Sequence, residues 1–89
     1  MTMFKQARLP LVCTYDNVAD AAYIYLKHPI GPGGVGRMAM FEPDQGMFNL
    51  DLDAEGRVLG LEILDASKHL PQALLQEILA QGQATNERS

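Results

Sequence analysis

The sequence predicts an α+β fold: a four-stranded antiparallel β-meander with one C-terminal amphipathic helix packed on one sheet face. Three observations carry this expectation. Short runs rich in β-branched and aromatic residues alternate apolar and polar positions with period two. Gly, Pro, Asp and Asn separate the runs, which makes the connections turns. Near residue 71 the period changes to that of a helix, and a sheet with one apolar face needs such a cover.

The elements follow in order. Residues 1–10 are mixed, end in Pro10 and read as a loosely ordered lead-in. LVCTY (11–15) suits a strand, and DNVAD (16–20) a turn. AAYIYLKH (21–28) is too short and aromatic for a helix. As a strand it places Ala22, Ile24 and Leu26 on one face and Tyr23, Tyr25 and Lys27 on the other. PIGPGGVG (29–36) is a connector, RMAMF (37–41) a short third strand, and EPDQG (42–46) a turn. MFNLDLD (47–53) alternates Phe48, Leu50 and Leu52 with Asn49, Asp51 and Asp53. After a turn at AEGR, VLGLEIL (58–64) alternates again. In PQALLQEILAQG the apolar residues at 74, 75, 78 and 79 form one helical stripe. Pro71 suits the helix start and Gly82 the position past its end. Asp65 or Ser67 is placed to cap an irregular turn through ASKHL. One domain therefore spans 11–82, with a polar tail over 83–89.

Composition narrows the function classes. The 89 residues are 47% hydrophobic and 20% charged, as in a folded globular domain. A net charge of −4 with scattered basic residues argues against nucleic acid as a partner. No apolar run approaches the roughly 18 residues of a membrane span, and no secretory leader is evident. With Cys13 as the single cysteine, no internal disulfide can form. A cytoplasmic location is the expectation.

Two motifs invite misreading. DLDAEGRVLGLE (51–62) is one step from the calcium-loop signature D-x-[DN]-x-[DN]-G-x₅-E. Asp51, Asp53, Glu55, Gly56 and Glu62 all fall at ligand or turn positions. Leu59, however, offers no oxygen at the ninth position, and both flanks have period two where the motif needs helices. A hairpin with Gly56 in its turn explains the same letters. The second motif is the G-x-G-x-x-G of residues 31–36. Pro43 and Gly46 break the helix that a dinucleotide site would require after it. No metal and no cofactor are expected.

Candidates for chemistry are sparse. His28 and His69 stand apart from Cys13 and from acids at metal-ligand spacing. If the chain is an enzyme, Asp16, Asp20, Glu62 and His69, with Tyr23, are the polar residues to consider. Tyr23 and Tyr25 share the face opposite Ile24 and suit an interface, because aromatic residues with a polar tip are enriched there.

TYDNVADAAYIYL (14–26) resembles the pattern Y-D-x-x-A-D-x-x-Y-I-x-L of a family of small, mainly prokaryotic proteins, domain-of-unknown-function family 2283. LDLDAEGRVLGLEILDASK (50–68) resembles its second signature, D-x-D-x-x-G-x-V-x-G-[IL]-E-[IL]-L-x-A-S. The resemblance implies a β-meander with a C-terminal helix and assigns no catalytic residue. Some relatives are encoded beside small toxin-like partners, which implies an antitoxin or other binding role. The leading expectation is thus a non-enzymatic protein-binding module, homodimeric, that meets a protein partner through its open sheet face or an edge. The alternative is a small enzyme or ligand carrier with a site between sheet, glycine-rich loop and helix start.

Overall fold

The computed structural model describes residues 3–41 and 47–82. The expected turn at 42–46 and the tail at 83–89 lie outside the described residues. Five strands form one antiparallel sheet: β1 (Val12–Asp16), β2 (Ala21–Tyr25), β3 (Arg37–Met40), β4 (Phe48–Leu52) and β5 (Val58–Leu64). Two helices follow, α1 (Ala66–His69) and α2 (Gln72–Gln81).

Two expectations are corrected. The sheet has five strands, not four, because every one of the period-two runs is extended. Nor is it a simple meander: the order is β1-β2-β5-β4-β3, so β5 rather than β3 lies beside β2. The reason is the connection after β2. Hairpin loops usually hold about 2–5 residues, whereas the stretch 26–36 is long enough to cross the sheet end. It is tied there by Leu26 and Lys27 N–H groups donating to the Leu59 carbonyl, and by Gly36 N–H donating to the Leu52 carbonyl at 2.7 Å. The glycine-rich segment is this connector, with its own turn closed from Gly34 N–H to the Gly31 carbonyl.

The calcium-like segment is a hairpin. Asp53 N–H donates to the Arg57 carbonyl at 2.9 Å, and Gly56 takes a φ of 81°. The Asp53 carboxylate accepts the N–H groups of Glu55 and Arg57. It is thereby occupied in shaping the turn.

One face of the sheet holds the core. Ala22, Ala66, Leu70 and Leu75 form its buried centre, flanked by Tyr15, Ile63, Leu74 and Ile78. Helix α2 lies against β1, and α1 against β2 and β5. Neither helix approaches β3 or β4. The helical cover is therefore confined to one half of that face, and Phe48 and Leu50 on β4 remain half-buried. Among the described residues no helix is long and apolar enough to cross a membrane.

Candidate functional site

The register decides which side chains meet on the helix-free face. Tyr23 on β2 pairs with Glu62 on β5, and Glu62 pairs with Asn49 on β4. Tyr25 and Asp51 both pair with Gly60 from its two sides. Period two sends Tyr23 and Tyr25 away from Ala22, which belongs to the helix-covered core. Five polar or aromatic side chains from three strands thus share one surface.

Their geometry is tight. The Tyr23 hydroxyl donates to Asp51 Oδ2 at 2.6 Å. To reach β4 the ring must pass over β5, and it does so at Gly60. A Cβ at that position would lie 2.5 Å from ring atoms of Tyr23. Glycine here is a requirement of close approach rather than of backbone freedom. Beside this contact, Asn49 Nδ2 donates to Glu62 Oε1 at 3.1 Å. The two tyrosine rings pack with centroids 4.6 Å apart, and His28 meets Tyr25 edge-on at 4.8 Å. Tyr23 and Tyr25 lie on the face away from the helices, as the alternation predicts, yet each is only 7% exposed. They form a floor, not a protruding patch. On the same face, Met38 and Met40 at the β3 edge are 51% and 75% exposed.

The electrostatics hold the Tyr23 phenol in its neutral form. Burial, with the Asp51 hydrogen bond next, pushes the Tyr23 phenol well above its ordinary 10.0. It stays a neutral donor at every physiological pH. Among the described residues, no buried side-chain nitrogen or oxygen lacks a hydrogen-bond partner. None of their His, Cys, Asp and Glu side chains gather in a group of three that could hold a metal ion.

The other candidates lie elsewhere. Asp16 shapes the β1–β2 turn, accepting the N–H groups of Val18 and Ala19. Asp20 takes the left-handed conformation at φ 52° and reaches across to α1. Its carboxylate accepts Ser67 N–H at 2.9 Å, Ser67 Oγ–H at 2.6 Å and the Tyr15 hydroxyl at 2.8 Å. The Ser67 and Tyr15 hydroxyl bonds hold it below the ordinary carboxylate value of 3.8. Asp20 therefore caps a helix 47 residues downstream, a role that neither Asp65 nor Ser67 performs through its own side chain. His69 sits at the end of α1 with Nδ1 within 3.0 Å of the Leu64 carbonyl and 3.1 Å of the Asp65 carbonyl. Carbonyls only accept, so Nδ1 carries the proton.

Of the sequence-predicted site residues, the fold brings together Tyr23, Tyr25 and Glu62. It leaves Asp16, Asp20 and His69 at turns and around α1. The glycine-rich connector and the start of α1 also sit at opposite ends of β5, one at Leu59 and the other beyond Leu64. Asn49 and Asp51 complete the cluster but were not among the predicted site residues. Their shared wet face was readable, whereas their register with Tyr23 depends on β5 lying between β2 and β4.

Comparison with known proteins gives the class but no activity. The profile of the family described as "Protein of unknown function (DUF2283)" matches residues 13–67. The chain belongs to that family, as both sequence signatures imply. No curated protein matches. No solved structure does either.

Proposed function

We propose that this protein is a non-enzymatic binding module whose helix-free sheet face receives a protein partner. One observation carries the reading: most of the polar side chains of the two family signatures are engaged in hydrogen bonds within the fold, several of them with one another. Tyr15 and Ser67 bind Asp20, and Tyr23 binds Asp51. Use of Asp20 or Tyr23 as a general base would need perturbations of the opposite sign. A general base needs a carboxylate of raised pKa or a phenol of lowered pKa. Here Asp20 is held low and Tyr23 high. We read the Ser67–Asp20 contact accordingly as a cap.

What this arrangement supports is a stiff surface. A floor of Tyr23 and Tyr25 is bordered by the exposed Met38 and Met40, and Tyr and Met are enriched at interface centres. Methionine adapts its shape to a partner at little cost. A partner encoded by an adjacent gene, as in an antitoxin-like pair, fits such a surface. The test is co-expression of the adjacent gene product with the tagged full chain. The two should co-purify at fixed stoichiometry, and Met38→Lys/Met40→Lys should lose the partner while keeping the wild-type circular dichroism. Co-purification undiminished in the double variant would move the interface elsewhere. Failure of the pair to associate would remove the reading.

A further inference from the structure

We infer that the chain self-associates by exchanging the segment that precedes β1, each copy laying residues 3–10 into the other's groove between β1 and α2. This surface is on the helix side of the sheet and at its edge, so the inference goes beyond the partner-binding face.

The groove has two walls. Leu11, Val12 and Cys13 form one, and Leu74, Glu77, Ile78, Gln81 and Gly82 form the other. Strand β1 is the edge of the sheet, hydrogen-bonded to β2 alone. Its outer row of backbone groups is open to an added strand along the groove. The groove mixes apolar side chains with two polar ones at its end, Gln81 and the single charged residue Glu77, whose Oε2 accepts from Gln81 Nε2 at 2.7 Å. Glu77 has no cationic partner among the described residues.

The segment ahead of β1 has the complementary chemistry. All of residues 3–10 are exposed, and they include Met3 at 76%, Phe4 at 87% and Leu9 at 73%. Lys5 and Arg8 lie among these apolar residues and form no ion pair among the described residues. Apolar side chains interleaved with cations match a groove that sets Leu11, Val12, Leu74 and Ile78 beside one carboxylate. So much exposed apolar surface on one short segment is a recognised mark of an interaction site. The segment also leads directly into β1, so the arm departs from the groove that it would fill in a second copy. Two-fold exchange then satisfies both grooves at once, the isologous arrangement expected of a closed dimer.

The experiment is sedimentation equilibrium of the full chain at low ionic strength, with charge reversal and its rescue. The wild type should be a dimer. Glu77→Lys should raise the dissociation constant by about tenfold or more, as should Lys5→Glu/Arg8→Glu. Combining the three changes should restore most of the loss, which general destabilisation would not do. Circular dichroism shows that each variant is folded. A monomeric wild type, or a dimer indifferent to both reversals, would overturn the inference. Neither result bears on Met38 and Met40, so the partner-binding reading stands or falls separately.

Discussion

At Gly60 a missing side chain decides what a neighbour can do. The Tyr23 ring crosses β5 only because nothing projects there, and its hydroxyl then reaches Asp51. Gly60→Ala should destabilise by about 1–3 kcal/mol through overpacking, read as a lowered urea midpoint. Tyr23→Phe keeps the ring and loses the bond, and should cost about 1 kcal/mol at neutral pH. The two tyrosine states also differ with pH. The phenol's pKa is raised on folding above 10.0, so its stabilisation is complete below about pH 10 and declines as pH rises beyond it. Wild type should lose more stability than Tyr23→Phe between pH 9 and 11 in urea titrations. Asp20 behaves in the opposite sense. Its folded pKa lies below 3.8, so its contribution is present above about pH 4 and is lost as the pH falls further. In acid titrations followed by circular dichroism, Asp20→Asn should flatten the loss below pH 4 and lower the midpoint at pH 7. None of this was legible from the residues alone. Asp20 and Ser67 are separated by 47 positions, and only folding shows that one caps the other.

Elements were more legible than their arrangement. Alternation in VLGLEIL places β5 at 58–64 as observed, and the stripe at 74, 75, 78 and 79 marks α2. The single turn of α1 was readable only as an irregular segment, since four residues carry no period. Strand order was missed for a physical reason. A meander places each strand beside the next, but pairing is decided by where connections can reach, and the connector 26–36 reaches past β5. The hairpin reading of 51–62 survives because its flanking alternation requires strands, and the acids then fall apart spatially. Asp51 binds Tyr23, Asp53 holds its turn, and Glu62 accepts from Asn49. Element packing makes its own prediction at Leu75, which is 5% exposed and the main anchor of α2 on Ala22, Ala66 and Leu70. Leu75→Ala should cost about 2–5 kcal/mol, measured by urea unfolding. A domain of this size has little more than that to lose, so the variant should be largely unfolded at 37 °C by circular dichroism.

Across the whole molecule the helices and the tyrosine cluster divide the sheet into two unlike faces. Both helices pack toward the β1–β2–β5 end of one face, where they supply the apolar centre. The other face is held by hydrogen bonds that run across β2, β5 and β4. The candidate site was half legible for this reason. Period two placed the tyrosines opposite the helix, but their burial depends on three strands closing around Gly60. A sheet stiffened in this way should present its β3 edge in a fixed shape, with Met38 and Met40 free of any role in the core. Surface substitutions of that kind usually change stability by no more than about 0.5 kcal/mol. Met38→Lys/Met40→Lys should therefore unfold at the wild-type urea midpoint while weakening the partner complex in calorimetric titration by at least about tenfold. Tyr23→Phe should show the reverse balance. It loosens the floor, lowers the urea midpoint, and leaves the exposed methionines in place, so its effect on the complex should be the smaller of the two. If the tyrosine variant weakened the complex more than the methionine pair, the tyrosine hydroxyl would be a contact in its own right and not part of the support.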